Sequence, residues 1–156
     1  MNGVSGRFTI DTDVWAYSVD NRAGALHQTA MEIVDRATEC DCWITLQALS
    51  EFYVVVTRKA MVSPAEAAGQ AENWLAAFQC IAATGSAVRA ALADAAADHA
   101  SFWDALLVAT AREAGCSVIL TEDLADGTDF GGVRIHNPFS LPGALDPLTR
   151  QLLALE

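Results

Sequence analysis

The sequence predicts an α/β domain in which a mostly parallel sheet is covered by helices on both faces, and three observations carry that prediction. Short apolar segments, Phe8-Thr9-Ile10, Cys42-Trp43-Ile44 and Ser117-Val118-Ile119-Leu120, alternate with longer stretches whose apolar residues recur at helical spacing. Helix starts are marked between them by capping chemistry, most sharply in Ser63-Pro64-Ala65-Glu66. The length of 156 residues suits one compact domain, which buries roughly two-thirds of its unfolded surface without disulfides or a structural metal. We take residues 1–156 as that domain, with a core over about 7–139 and a tail over 140–156.

In chain order, Phe8 to Ile10 reads as a strand that stops at Asp11-Thr12-Asp13, the N-terminus of a helix. A helix over about Gly24 to Thr38 follows from the recurrence of Leu26, Ala30, Ile33, Val34 and Ala37. Cys42 to Ile44 is the second strand. Thr45 then caps a helix through Lys59, with Leu46, Leu49, Tyr53 and Val56 as its apolar stripe. The Ser63 cap opens a helix to about Phe78, and Cys80 to Ala83 reads as a third strand. Helices are expected over about Ser86 to Asp98 and Ser101 to Ala114, the latter closed by Gly115. Ser117 to Leu120 reads as a fully apolar strand; a glycine-rich loop leads to Val133-Arg134-Ile135, then Asn137-Pro138-Phe139, and a short helix around Leu148 to Leu155.

Composition narrows the function. Twenty acidic against nine basic side chains leave a net charge of −11, which argues against holding nucleic acid by a broad basic surface. It allows a divalent cation in an acidic cleft. The hydrophobic share of 53% includes 30 alanines, so large core side chains are fewer than it implies. No apolar run approaches the roughly 20 residues of a membrane-spanning helix, and Met1 to Arg7 lacks the order of a secretory signal, so a cytoplasmic protein is expected. Cys40, Cys42, Cys80 and Cys116 lack metal-binding spacing and read as reduced, mostly buried thiols. His27, His99 and His136 are scattered and read as incidental. Lys59 is the one lysine; the other eight cations are arginines.

In an open α/β sheet the functional crevice lies beyond the carboxyl ends of the strands, and the acids gather there. Asp11 ends the first strand, Glu51 lies in the second turn after the second, and Glu122 and Asp123 follow Leu120. Asp104 interrupts the otherwise apolar Phe102 to Ala109. Each has a plain alternative: Asp104 completes a capping box with Ser101, Asp11 is an N-cap, Glu51 a solvated charge, Glu122 and Asp123 turn residues. Structural acids at four separate places in the chain have little reason to converge on one sheet edge. Crowded carboxylates raise one another's pKa unless a cation neutralises them, and hard oxygen donors suit Mg²⁺ or Mn²⁺. Such an ion activates water for attack on a phosphodiester.

These residues resemble a PIN domain, the metal-dependent ribonuclease fold of VapC-type toxins in bacterial toxin–antitoxin pairs. The resemblance runs from Phe8 to about Phe139: Ile10-Asp11-Thr12, Leu49-Ser50-Glu51-Phe52, Phe102-Trp103-Asp104-Ala105-Leu106, and Ala114-Gly115-Cys116 leading to Leu120-Thr121-Glu122-Asp123-Leu124. Asn137-Pro138-Phe139 resembles one bacterial branch. The resemblance implies a PIN-like three-layer sandwich and an acidic site of Asp11, Glu51, Asp104 and Asp123. Asp11 and Asp104 are the first choice for direct metal contact, with Glu51 and Asp123 bound through water or to a second ion. Thr12 and Thr121 orient the cluster. The family often has Asn where Asp13 stands, so Asp13 has no assigned role; Glu122 is not separable from Asp123, and Asp126 is a weaker candidate. The resemblance further implies an RNA substrate, an antitoxin protein that blocks the cleft, and a homodimer. Arg22, Arg58 and Arg112 are candidates for touching RNA phosphates, or are solvated surface charges.

Two other readings compete. Ile10-Asp11-Thr12-Asp13-Val14 also resembles the strand and D-x-D of a haloacid-dehalogenase phosphatase, with Asp11 as nucleophile and Asp13 as general acid, though Lys59 does not fall where that family needs its lysine. A catalytically silent PIN-like binding module is the other.

Overall fold

A computed structural model describes residues 6–155; Met1 to Ser5 and Glu156, which the domain reading includes, lie outside the described residues. Six strands form one sheet: β1 (Phe8–Ile10), β2 (Cys42–Thr45), β3 (Gln79–Ile81), β4 (Val118–Leu120), β5 (Asp129–Phe130) and β6 (Val133–His136), in the order β3-β2-β1-β4-β6-β5. All pairings are parallel except β5 with β6. The chain winds outward from β1 through β2 to β3, then resumes on the other side of β1 with β4. The reversal lies between β1 and β4, where strand ends leave a crevice.

Among the described residues seven α-helices cover the sheet: α1 (Thr12–Val19), α2 (Ala25–Ala37), α3 (Leu46–Arg58), α4 (Pro64–Ala77), α5 (Gly85–Ala96), α6 (Phe102–Glu113) and α7 (Pro147–Leu152). Side-chain alternation along β4 assigns the layers. Val118 and Leu120 enter the main core with Phe8, Ile10, Trp15, Ile33, Phe52 and Trp74, whereas Ile119 points the other way, into a cluster with Leu107, Val108 and Ile135. Beyond that, Ala87, Ala91, Ala105 and Ala109 let α5 and α6 pack closely. Trp15 anchors α1: its Nε1 donates to the Ile10 carbonyl at 2.8 Å, and its ring meets Trp74 at 4.6 Å and Phe78 at 5.3 Å.

The caps fall where the sequence placed them, at Thr45, Ser63 with its full capping box, and Ser101. Several expectations need correction. On α3 the buried face is Ala48, Leu49, Phe52 and Val56; Leu46 and Tyr53, expected in the stripe, are exposed because Phe52 is the ring that reaches Trp74, at 4.7 Å. The third strand begins one residue earlier than expected and ends at Ile81, as an edge strand with little burial. β5 was not expected; the Gly131-Gly132 pair, both at positive φ, turns it back onto β6. Cys42 and Cys116 are buried, but Cys80 is exposed and Cys40 half-buried. The tail is more than an appendage, since Leu145, Leu152 and Leu153 enter the main core. Its anchor is His136, which is therefore not incidental: Nε2 lies 2.9 Å from an oxygen of buried Asp146, the cap of α7.

Candidate active site

The crevice between the ends of β1 and β4 is a cleft of about 310 Å³. Asp11 stands at its floor. It is the residue at which β1 becomes α1, in extended conformation, and its amide donates to the Leu120 carbonyl at 2.9 Å, so that the helix begins against the end of β4. One carboxylate oxygen accepts the Thr12 amide at 2.7 Å and the other the Thr121 hydroxyl at 2.9 Å. The N-cap reading of Asp11 thus holds alongside its place in the cleft.

Asp13 enters the same space. Its oxygens accept the Val14 amide at 2.9 Å and the Glu122 amide at 2.7 Å, tying the first turn of α1 to the loop after β4. Asp123 completes the group, its amide donating to the Thr121 hydroxyl at 3.1 Å. Asp11, Asp13 and Asp123 each present a carboxylate oxygen, all within 4.8 Å of one another. Burial, opposed by the Thr12 and Thr121 hydrogen bonds and aided by the charges of Asp123 and Glu51, raises the Asp11 carboxyl to about 6. Burial and the charge of Asp11 push Asp13 to about 8.

The other expected acids share the cleft without joining that group of three. Glu51 reaches it from α3, accepting the Thr12 hydroxyl at 3.1 Å and the Gln47 amide at 3.2 Å. Asp104 lines it from the first turn of α6, where the Ser101 hydroxyl accepts the Asp104 amide at 3.2 Å. Its side chain therefore reaches the cleft while its backbone takes part in the cap. Glu122 is held by the Tyr17 hydroxyl, and burial followed by that contact raises the phenol's pKa. Asp126 is elsewhere: it accepts the Asn137 amide at 2.9 Å and lies 3.6 Å from His136.

The arginines considered for phosphate contact do not line the cleft. Arg22 pairs with Asp20 at 3.1 Å, Arg112 donates to the Phe130 carbonyl at 2.9 Å, and Arg58 is exposed at the end of α3. The cation in the lining is Lys59. Sequence reasoning also missed Gln47, Tyr17 and Trp103. Gln47 bridges α3 to α6 by donating to the Trp103 carbonyl at 3.0 Å as well as to Glu51. Two of these carried a readable signal: Gln47 lies one turn before Glu51, and Tyr17 one turn after Asp13.

An α/β domain with a switch-point cleft lined by convergent carboxylates is thus the class of protein that the fold and site define. The chain belongs to the PIN domain family, whose model matches residues 8–125. Comparison with curated protein sequences gives no match. Solved structures are similar in fold. VapC20 of Mycobacterium tuberculosis, described as a sarcin–ricin loop cleaving toxin, has a TM-score of 0.58 and 22% identity, covering 74% of this chain and 91% of that one. DNA-bound VapBC from Salmonella typhimurium has a TM-score of 0.60 and 17% identity, covering 83% and 96%. VapBC2 from Rickettsia felis, bound to a promoter DNA fragment, has 0.61 and 10%, covering 84% and 98%.

The donor set suits a hard divalent cation. Three carboxylates within 4.8 Å carry only oxygen, with no thiolate or imidazole lining the cleft. A cation would offset the burial and the mutual repulsion that together raise Asp11 and Asp13.

Proposed function

We propose that this protein is a ribonuclease that hydrolyses RNA phosphodiester bonds with Mg²⁺ or Mn²⁺ and serves as the toxin of a toxin–antitoxin pair. The observation that carries the reading is the convergence of Asp11, Asp13 and Asp123 at the β1–β4 switch point, in a cleft also lined by Glu51 and Asp104. Membership of the PIN domain family supports it, as do the descriptions of the similar folds as VapC toxins and VapBC complexes.

Asp11, Asp13 and Asp123 would hold the ion, with Glu51 and Asp104 accepting its bound waters or a second ion. When bound, the ion supplies an activated water and offsets charge on the leaving oxygen. Thr121 orients Asp11 and Asp123, and Thr12 orients Glu51. Glu51 or Asp104, both of which line the cleft, would take a proton from attacking water. Among the described residues lining the cleft, Lys59 is the cation available to an incoming phosphate, consistent with weak, locally focused RNA binding by a chain of net charge −11.

The antitoxin is expected to be a basic protein that covers the cleft. A homodimer is proposed as well, supported by the apolar side chains left exposed on α3, Leu46, Tyr53 and Val54. No helix among the described residues is long and apolar enough to cross a membrane, and action in the cytoplasm is part of the same reading. The phosphatase reading gains Lys59 in the cleft, but the PIN family match stands against it.

Incubating the purified chain with total and transfer RNA in Mg²⁺, Mn²⁺ or EDTA tests the function. Cleavage with either ion and none in EDTA is the expected result; intact RNA under every condition would remove the ribonuclease reading.

A further inference from the structure

A further cavity, of about 270 Å³, shares Asp104 with the cleft but is lined by none of Asp11, Asp13 and Asp123. The two cavities are neighbours because α6 turns Leu107 to the cleft and Val108 to the second space. Val108 is buried, and with half-buried Leu124 and Phe130 it makes apolar walls. Phe130 is held in place on β5 by Arg112, which donates to its carbonyl at 2.9 Å. Asp94 and His99 stand exposed at the mouth. His99 fixes that mouth: its amide donates to the Asp94 carbonyl at 2.9 Å, and its Nδ1 lies 3.8 Å from the Asp94 carboxylate.

The chemistry of the lining restricts the occupant. It holds two carboxylates, one imidazole and no lysine or arginine, so a phosphate is disfavoured while a neutral planar ring is accepted against Phe130 and Leu124. Of the two polar groups at the mouth, Asp94 is the one that is acceptor-only when ionised, which favours a ring with donors on its edge. Guanine offers two adjacent donors, N1–H and the N2 amino group, to the two oxygens of one carboxylate. Adenine and cytosine offer an amino group alone, and uracil one imino proton. Bases that are splayed out of a single strand and stacked on aromatic side chains are the usual means by which protein reads RNA sequence.

We propose that this cavity receives one base of the RNA strand whose backbone lies in the acidic cleft, and that it prefers guanine. The proposal rests on the ribonuclease reading for its substrate. Asp94 and Phe130 are specificity residues here and lie outside the acidic cleft.

Two measurements on the full chain test it. The first follows the methyl NMR signals of Val108 and Leu124 while guanosine or uridine is added to wild type, Asp94→Asn and Phe130→Ala. Guanosine should shift both signals in wild type, uridine far less, and each variant should lose the guanosine response while its other signals stay folded. The second sequences the ends of RNA cut by the same three proteins. Wild type should favour G at one fixed position relative to the cut, and Asp94→Asn should flatten that position by roughly tenfold. Methyl shifts by guanosine in a chain that cuts no RNA would uphold the base pocket and sink only the ribonuclease reading. Absent shifts, or a cut-site preference that both variants leave unchanged, would overturn the proposal.

Discussion

The Thr121 hydroxyl donates to Asp11 at 2.9 Å, and the same oxygen accepts the Asp123 amide at 3.1 Å. One side chain therefore sets the positions of two carboxylates, from the residue directly after β4. Thr121→Val keeps the shape and removes both bonds. Loss of such an orienting group weakens metal binding by about tenfold or more, with a modest loss of stability. Calorimetric titration with Mn²⁺ measures it; an unchanged affinity would show that Thr121 does not organise the site.

The metal-free chain should lose stability as pH rises. Asp11 and Asp13 titrate at about 6 and about 8 in the folded chain, against 3.8 for an ordinary aspartate. The folded state thus holds protons that the unfolded chain has released. The stability this gives is fully present below the ordinary value and is lost as pH climbs through the two raised values. Thermal melts in EDTA should show Tm falling between about pH 5 and about pH 8, and millimolar Mn²⁺ should reverse the fall at the upper end. A flat profile in EDTA would contradict the crowding of these carboxylates.

Asp146 behaves in the opposite sense. Burial alone would raise its pKa, but the Thr149 amide, His136 and the Thr149 hydroxyl outweigh burial and hold the carboxyl below its usual range. Its stabilising effect is present above the ordinary aspartate value and disappears as pH falls through the lowered one. Asp146→Ala removes the cap of α7 and the partner of His136 together, with an expected cost of about 3 kcal/mol in urea unfolding. Asp146→Asn, which retains an acceptor for the Thr149 amide, should recover part of it. Equal stability of Ala and wild type would show that the tail is held by its leucines alone.

The face of α3 gives a paired test. Phe52 is fully buried and packs on Trp74, while its neighbour Tyr53 is 39% exposed. Phe52→Ala should cost about 3 to 5 kcal/mol and Tyr53→Ala under about 1. Denaturant unfolding of the monomeric concentration range separates these values; a reversed order would mean that the helix faces the core with the stripe first read from the sequence.

What could be read in advance was local. Thr45, Ser63 and Ser101 announced their helices because a cap is a bond between a side chain and an amide three residues on. Asp11, Glu51, Asp104 and Asp123 were traceable to one edge because strand ends share a side in a parallel sheet. The choice between Phe52 and Tyr53 was not local: Leu49 and Val56 belong to either stripe, and only Trp74, on another helix, decides. Asp13 was named without a role, and its place in the carboxylate group was hidden by helical spacing, since residues two apart do not face each other within a helix. Asp11 is the extended residue before the helix, at ψ 165°, and that conformation lets both carboxylates reach one space. The roles of Lys59 and His136 depend on contacts brought together by the folded chain, which no spacing displays.

Cleavage of RNA by the partner-free protein and by Asp104→Asn, in Mn²⁺ and in EDTA, is the most direct test that these carboxylates form one metal-dependent hydrolytic site. Wild type should cut in Mn²⁺ and not in EDTA, and the variant should be slower by about 100-fold with its Tm little changed, because the residue 104 amide still donates to the Ser101 hydroxyl. Equal cutting by the variant, or cutting that persists in EDTA, would contradict it.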